Sequence, residues 1–215
     1  MSKRGDKVDL VYNYLLGEFI KGHYTNGQRI VVNSVAKACN VSDTPVREAL
    51  RRLESDSYVR IEANQGAVAE GISKESIIHT FEIKGVLEGY AARLSIDYLS
   101  PHDIELLRQI NEAMHQAEQN LQYDEFSRLN IEFHMSIYEK CPSPELITLI
   151  RDLWKKWSVT KNVFYTAPDR MGESYIEHLH IIELIEQRDR EALEAFIRVH
   201  KSNAANRMTS RIPQL

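Results

Sequence analysis

Three histidines and one asparagine occur at spacings that could bring their side chains together around a metal ion. Asn130 and His134 are four residues apart, so they share one face of a helix. His178 and His200 are too distant to meet along one helix, but Asp189 lies midway between them and precedes a new apolar period. A helical hairpin that turns near Asp189 would place the two imidazoles level with each other.

Imidazole nitrogens completed by an amide oxygen suit Zn²⁺, Ni²⁺ or another transition metal. We therefore expect a metal site formed by Asn130, His134, His178 and His200. The alternative is that these histidines only form hydrogen bonds in a helical core. Three histidines with an open coordination position can also activate water, but Glu132 and Glu177 should point away from the metal, which leaves a metallohydrolase without a general base.

The stretch VSDTPVREALRRLE, residues 41–54, has the pattern of a DNA-reading helix. We expect the helix to start near Thr44, with Pro45 in its first turn, and an apolar stripe at helical spacing follows. Arg47 lies off the stripe, one turn inside the helix, and arginine can contact guanine or phosphate with two hydrogen bonds. The alternative is that the arginines of this helix form an ordinary solvated face.

The neighbouring segments complete a small domain over residues 1–72. A first helix is predicted with Leu10, Leu15 and Phe19 on its packed face, and a second helix precedes the stretch above. Two β-rich runs follow, joined by a turn at residues 63–66. Three helices plus a β-hairpin are typical of a winged helix-turn-helix. This arrangement gives Thr44, Arg47, Arg51, Gln65 and Gly66 as the expected DNA-binding residues.

Residues 73–215 predict an all-α bundle of six or seven helices, because six consecutive segments show helical periodicity and none shows a strand pattern. The fold class is therefore mostly α. One of these segments, PELITLIRDLWKKWSVTKNVFYT, is predicted as a single helix. Its aromatic residues, among them Trp154 and Phe164, either line a pocket or fill the core.

Composition and charge indicate the cellular compartment of the protein and how it could contact DNA. The 215 residues are 43% hydrophobic, and no apolar run reaches the ~20 residues that span a bilayer, so we expect a cytoplasmic protein. The formal net charge is −4, yet residues 1–72 carry ten basic and nine acidic residues. DNA contact must therefore come from a local cluster rather than from the overall charge.

Both halves resemble one family of transcription regulators. VSDTPVREALRRLE followed by YVRIEANQGAVAE resembles the winged-helix domain of GntR-type regulators. FEIKGVLEGYAARL, NIEFH, EH and the final VH resemble the effector-binding FCD domain of the FadR subgroup. This resemblance implies a homodimer that binds a palindromic double-stranded DNA operator, most often as a repressor, and responds to a small carboxylate effector that completes the coordination of a bound metal.

The resemblance also assigns residues and shows departures. It places Lys84 at a position that usually holds an arginine for the effector carboxylate, and a lysine offers a point charge instead of a fork. Asn130 stands where aspartate is usual, and Asp43 stands where arginine is usual, directly after Ser42. The resemblance therefore adds Ser42 and Asp43 to the expected DNA-binding residues. A metal-responsive regulator, in which the ion itself is the effector, remains an alternative.

Overall fold

The computed structural model describes residues 4–20, 23–56, 58–62, 66–70, 74–156 and 163–211. These residues form two compact units, one that ends at Lys74 and one that spans Glu75–Ser210. The mostly helical fold is confirmed, with a small sheet among the first helices and a helical bundle after it. Within the described ranges, no helix is long and apolar enough to cross a membrane.

The first unit combines three helices with a three-stranded antiparallel sheet. Its elements are α1 (Arg4–Ile20), β1 (Arg29–Ile30), α2 (Val32–Ala38), α3 (Asp43–Ser55), β2 (Val59–Glu62) and β3 (Gly66–Ala69). Strand β3 lies in the centre, and its Val68 is opposite Arg29 of β1 and Arg60 of β2. The β2–β3 pair is the hairpin expected from the sequence, and residues 63–65 at its turn lie outside the described residues.

The helix that should read DNA is packed as its apolar stripe indicates. Val46, Ala49 and Leu53 of α3 are fully buried. The helix begins at Asp43, slightly before the predicted start near Thr44. Ser42 explains the difference, because its backbone is extended (φ −81°, ψ 169°) and it serves as the N-cap residue without a side-chain capping bond.

The packed face of α1 differs from the predicted one. Leu10 is 50% exposed, whereas the adjacent Val11 is fully buried together with Leu15 and, nearly so, Phe19. The buried face of α1 is centred on Val11, Leu15 and Phe19, and Leu10 lies beyond its edge, about 140° around the helix from Leu15. The prediction was right for Leu15 and Phe19 and wrong for Leu10.

The second unit is a helical bundle. Its elements are α4 (Lys74–Ser95), a 3-10 turn (Ile96–Tyr98), α5 (Pro101–Gln119), α6 (Tyr123–Tyr138), α7 (Pro144–Lys156), α8 (Val163–Thr166), α9 (Arg170–Glu186) and α10 (Arg190–Ser210). These seven α-helices of the described chain agree with the predicted six or seven. The segment from residue 144 to 166, predicted as a single helix, is described as α7 up to Lys156 and as α8 from Val163, and residues 157–162 lie outside the described ranges.

A short turn folds α9 back onto α10, as the sequence predicts. Arg188 has a left-handed backbone (φ 56°), and its guanidinium donates to the carbonyl oxygens of Ile96 and Leu99. Asp189 Oδ1 accepts a hydrogen bond of 2.9 Å from the Ala192 N–H, so Asp189 caps α10. This turn fixes the register in which His178 and His200 meet.

Glycines allow α4 and α10 to approach closely. A Cβ at Gly89 would lie 2.9 Å from the carbonyl oxygen of Glu194, which is closer than van der Waals contact permits. A Cβ at Gly85 would lie 3.4 Å from Cα of Arg198. The close crossing keeps Lys84 and Glu88 of α4 beside Lys201 of α10.

Candidate functional site

Three histidine side chains from three helices converge inside the second unit. His134 lies on α6, His178 on α9 and His200 on α10, and none is more than 3% exposed. Their ring centres are 4.9 to 5.1 Å apart. One ring nitrogen of each lies within 4.8 Å of the other two, as the ligands of a single metal ion require.

The hydrogen bonds of His178 fix which of its nitrogens can accept. Asn111 donates its amide N–H to the Tyr175 carbonyl at 3.1 Å, so its Oδ1 is left as an acceptor. That oxygen is 3.2 Å from His178 Nδ1, which must therefore carry the proton. His178 Nε2 then bears a lone pair, and it is buried without a hydrogen-bond partner.

The other two histidines are oriented in the same way. Glu177 Oε2 is 2.5 Å from His200 Nδ1, and a carboxylate can only accept, so this Nδ1 is protonated. Tyr138 Oη is 3.2 Å from His134 Nδ1. The Tyr138 hydroxyl interacts with the nearby Glu88 carboxylate, which favours acceptance from His134 Nδ1–H. All three Nε2 lone pairs are thereby directed away from these partners.

The resulting arrangement suits a cation. His134 Nε2 and His200 Nε2 are 3.1 Å apart, and two facing lone pairs at this distance repel unless a proton or a metal ion lies between them. Zn–N bonds of about 2.0–2.1 Å in a tetrahedron separate ligand nitrogens by about 3.3 Å. The separation of the two nitrogens and the unpartnered His178 Nε2 therefore both fit a metal ion.

Burial keeps the three imidazoles neutral. Desolvation lowers the pKa of His134, His178 and His200 well below the usual range, and the nearby Lys201 lowers each pKa further. A neutral imidazole is the form that ligates metals. The cluster thus presents three lone pairs at neutral pH with no proton to displace.

The fourth expected ligand, Asn130, lies one turn before His134 on α6. Its Oδ1 is buried and has no hydrogen-bond partner. Asn130, His200 and Lys84 all line one cavity of about 30 Å³. An unpartnered amide oxygen beside the cluster is chemically suited to complete the donor set.

Lys84 lies at the wall of this cavity and is only 1% exposed. Its Nζ is 3.7 Å from the centre of the Trp154 ring and 3.8 Å from Glu88 Oε1. Burial lowers the pKa of Lys84 to about 7, although the Glu88 carboxylate opposes this shift. The ammonium is therefore close to its titration point at neutral pH.

A fully buried arginine contacts both Glu177 and the backbone of His200. Arg170, at the start of α9, pairs with Glu177, lies 3.5 Å from Glu173 and is 3.3 Å from the His200 carbonyl oxygen. It thereby fixes the carboxylate that orients His200. Glu177 points towards Nδ1 and away from the Nε2 cluster, as the sequence predicts, but it supports the site instead of lying apart from it.

The expected DNA-binding residues of the first unit lie at the surface. Residues 42–44, Arg47 and Arg51 are exposed, and Gly66 is exposed with a left-handed φ of 81°. Gln65 lies outside the described residues. Arg52, by contrast, is held by Asp9 of α1, 2.7 Å away. Helix α3 therefore presents Arg47 and Arg51 on its solvent face.

Sequence reasoning missed the residues that support the cluster. Tyr138 follows His134 by four residues, and Glu88 follows Lys84 by four, so helical spacing could have found both. Asn111 of α5 and Glu177 of α9 reach histidines through tertiary packing, and no local spacing indicates that. Arg29 was also missed, an exposed cation of β1 whose guanidinium lies near Gly66.

Comparison with known proteins agrees with this two-part organisation. Residues 7–68 match the family model described as bacterial regulatory proteins, gntR family. Residues 79–203, more than half of the chain, match the FCD domain. The histidine cluster lies within the second match and the exposed α3 within the first.

Individual relatives are transcription regulators. The HTH-type transcriptional regulator McbR of Escherichia coli is 28% identical over 80% of this chain and 78% of its own length. The gluconate operon transcriptional repressor of Bacillus subtilis is 28% identical over 64% of this chain and 56% of its own length. The solved structure of E. coli McbR/YncC shares the fold, with a TM-score of 0.64 at 23% identity over 98% of this chain and 99% of that one.

Proposed function

Because the chain belongs to the GntR family of bacterial regulatory proteins and carries an FCD domain, we propose that it is a repressor whose operator affinity changes when a small carboxylate binds beside a metal ion. The observation that carries the ligand-binding part is the convergence of three histidine Nε2 atoms whose Nδ1 atoms are all engaged. Repression is supported by the relative from Bacillus subtilis, which is named as a repressor.

In this proposal, a homodimer reads a palindromic double-stranded operator with one α3 per half-site. Thr44 and Arg47 contact base edges and phosphates from the first turns of the helix, and Arg51 contacts the backbone. Ser42 lies at the N-cap, and Gly66 and Gln65 contribute from the wing. Asp43 repels phosphate, so it favours a base partner that donates, such as the cytosine amino group.

Selection of bound duplexes from a random DNA library, followed by fluorescence anisotropy on the enriched sequence, tests the DNA-binding part. We expect Arg47→Ala to weaken binding by about tenfold or more, because a bidentate arginine contact contributes ~1–3 kcal/mol. Arg198→Ala removes an exposed arginine from the second unit and serves as the control. Equal affinities of both variants and the parent would contradict the assignment of Arg47.

The proposed metal ligands are His134, His178, His200 and Asn130, with Zn²⁺ as the first choice and Ni²⁺ or another transition metal as alternatives. When bound, the metal supplies a Lewis acid that can hold a carboxylate oxygen of the effector. Because Asn130 is neutral where a carboxylate would cancel one charge, the site retains more positive charge for an anionic ligand.

Elemental analysis of untagged protein prepared without chelators tests the metal assignment. We expect about one metal ion per chain in the parent and loss of that ion in His178→Ala. His180→Ala is the matched control, because His180 lies on the same helix but is exposed and contacts Glu183. Retention of metal in His178→Ala, or its loss in His180→Ala, would contradict the proposed ligand set.

Lys84 is proposed to pair with the effector carboxylate from the opposite wall of the cavity. Its burial beside the aromatic ring of Trp154 makes a bound anion favourable, because the ammonium has lost most of its contact with water. Ligand binding there would change DNA affinity, and DNA would change ligand affinity by the same factor. We expect Lys84→Gln to bind operator normally and to lose the response to carboxylates, as measured by anisotropy with and without ligand.

The alternative is that the metal ion itself is the effector, which the complete set of preorganised imidazoles favours. Titration of operator binding with Zn²⁺ in buffer free of carboxylates distinguishes the two. A metal-dependent change without any organic anion favours the metal-responsive regulator. A change that requires both metal and carboxylate favours the proposal above.

The protein is a transcription regulator and not an enzyme, as its domains and relatives indicate. The three-histidine cluster therefore needs no hydrolytic role. Glu177, the carboxylate that contacts His200, faces Nδ1 and is not directed at the position a metal-bound water would occupy.

A further inference from the structure

A second buried lysine, Lys201, lies near the same Trp154 ring that Lys84 contacts. Lys201 of α10 directly follows His200, is 4% exposed, and its Nζ lies 5.2 Å from the centre of the Trp154 ring. Lys84 Nζ lies 3.7 Å from the same centre. Two ammonium groups against one buried indole are an unusual arrangement, because each has lost most of its hydration.

One carboxylate serves both lysines. Glu88 Oε2 is 2.8 Å from Lys201 Nζ, and Glu88 Oε1 is 3.8 Å from Lys84 Nζ. Glu88 also interacts with the Tyr138 hydroxyl, so one carboxylate is shared among three polar groups. A buried cation is stabilised by each anionic oxygen brought beside it, so a ligand carboxylate next to Lys201 would be favourable.

The lining of the cavity has one sign of charge. Among the described residues that line it, Lys84, Lys201 and Arg170 are cationic and none is acidic. Glu88 lies behind the lysines and Glu177 behind His200, outside this lining. The proposed metal ligands are neutral and would not cancel the charge of a bound ion, so the ion would add its full positive charge beside these cations.

The cavity also holds donors that lack acceptors. Trp154 Nε1–H and Arg170 Nε–H are both buried without a hydrogen-bond partner, and both side chains line the cavity. A buried donor left unpaired costs about 1–3 kcal/mol, which a ligand oxygen would recover. Cations and unpaired donors from four helices, α4, α7, α9 and α10, therefore favour a ligand with several acceptor oxygens.

We propose that Lys201 and the Trp154 indole N–H form a second anion subsite beside Lys84, and that the effector is a small anion with at least two carboxylates. This inference rests on the proposed function and narrows its ligand class. One carboxylate would complete the metal site and contact Lys84, and the second would lie between Lys201 and Trp154 Nε1. A monocarboxylate would leave the Lys201 subsite without an anion.

The cavity must enlarge to admit such a ligand. Its volume of about 30 Å³ is enough for a few water molecules at most and is too small for a dicarboxylate. Lining side chains therefore rotate when the ligand enters, and the Trp154 ring is the largest of them at the Lys201 side. Intrinsic tryptophan fluorescence should change on binding of a dicarboxylate and follow the same saturation curve as the heat of binding.

Calorimetry on the metal-loaded full chain tests the inference with malonate and succinate against acetate and propionate. We expect at least one dicarboxylate to bind tenfold or more tightly than either monocarboxylate. Lys201→Gln should reduce dicarboxylate affinity by tenfold or more and monocarboxylate affinity by less than twofold. Metal content is measured after each titration, because dicarboxylates also chelate metals in solution.

Lys140→Gln is the matched control, since it removes a lysine charge from the same unit, and Lys140 is partly exposed, pairs with Asp103 and is not among the residues that line the cavity. Should Lys201→Gln fail to fold, Glu88→Gln/Lys201→Gln removes both members of the ion pair and gives the same comparison. Equal affinity for mono- and dicarboxylates, or an unchanged preference in these variants, overturns the second subsite while leaving a carboxylate effector intact. Absence of binding by every carboxylate would overturn the proposed effector class itself.

Discussion

The two units of the chain use arginine and lysine in opposite environments. In the first unit, Arg47 and Arg51 stand on the solvent face of α3, where their charges remain hydrated. In the second, Lys84, Lys201 and Arg170 are almost completely buried around a cavity. The exposed cations suit long-range attraction to a polyanion, and the buried cations suit tight pairing with a small anion.

This difference has a consequence for stability. A hydrated arginine contributes little to folding, so α3 can change its DNA contacts without endangering the fold. A buried cation depends on each of its partners, because removal of one partner leaves an uncompensated charge. The same substitution should therefore affect DNA binding in one unit and folding in the other.

The largest expected effect comes from the comparison of Arg170→Met with Arg51→Met. Arg170→Met should lower the free energy of unfolding by about 3–5 kcal/mol, because the Glu177 carboxylate loses its buried cation and His200 loses its fixed orientation. Arg51→Met should leave the unfolding midpoint unchanged and weaken DNA binding. Urea unfolding and anisotropy on both variants measure the two effects. Similar unfolding curves for both variants would contradict the contrast between the units.

The second-largest expected effect is a dependence of folding stability on pH that arises from Lys84. Its pKa is about 7 in the folded state and ~10.4 in the unfolded chain, so between these values the unfolded chain binds a proton that the folded chain does not. Stability should therefore rise with pH above 7 by up to about 1.4 kcal/mol per unit, and fall back as pH returns to 7. Glu88 of α4, Lys201 of α10 and Trp154 of α7 face the ammonium and set this shift.

Lys84→Met should lose this pH dependence between pH 7 and 9 and should be more stable than the parent at pH 7. The methionine fills a similar volume without a charge to desolvate, and Glu88 keeps its ion pair with Lys201. The same variant should lose its carboxylate response, so function and stability oppose each other at this position. Parallel stability curves of parent and variant over this pH range would refute the assigned pKa shift.

The sequence predicts the elements of both units better than it predicts the contacts between elements. The spacing of Asn130 with His134, and the placement of Asp189 between two histidines, are local patterns that a helix translates directly into position. Glu177 illustrates the limit. It precedes His178 in the chain, yet it orients His200 of the next helix, because the register of the α9–α10 packing decides its partner.

Leu10 and Trp154 show two further limits of prediction from the sequence. Leu10 is apolar but exposed, since α1 has more apolar residues than its packed face can cover, and periodicity alone does not choose among them. Similarly, Trp154 could line a pocket or fill the core by sequence, and the structure places it at the cavity wall.

The third contrast comes from glycine substitutions, which should change the free energy of unfolding in opposite directions in the two units. Gly89→Ala should lower the free energy of unfolding by about 1–3 kcal/mol, because its Cβ would meet the Glu194 carbonyl oxygen and push α4 from α10. Gly17→Ala on α1 has open space around the new Cβ and should stabilise by up to about 1 kcal/mol through helix propensity. Thermal unfolding of both variants checks the signs, and stabilisation by Gly89→Ala would show that the crossing is looser than described.

The smallest expected effect concerns a single hydroxyl group in each unit. Tyr138→Phe removes the oxygen that accepts from His134 Nδ1–H, so His134 can turn or change tautomer and its Nε2 lone pair is no longer held towards the cluster. We expect metal affinity to fall by about tenfold, at the low end for such supporting contacts, in competition with a chromogenic chelator. The fully buried phenyl ring keeps its packing, so stability of the metal-free protein should change much less than metal affinity.

Tyr12→Phe makes the same change in the first unit, where the hydroxyl donates to Asp56 at 2.7 Å. Loss of that hydrogen bond should cost roughly 1 kcal/mol of stability and leave metal affinity unchanged. Comparison of the two variants therefore distinguishes a hydroxyl that contributes only to stability, in Tyr12, from one that orients a metal-binding lone pair, in Tyr138. If Tyr138→Phe bound metal as tightly as Tyr12→Phe does, the orientation of His134 would come from packing against Phe133 and Trp154 alone, and the hydroxyl would have no part in preparing the site.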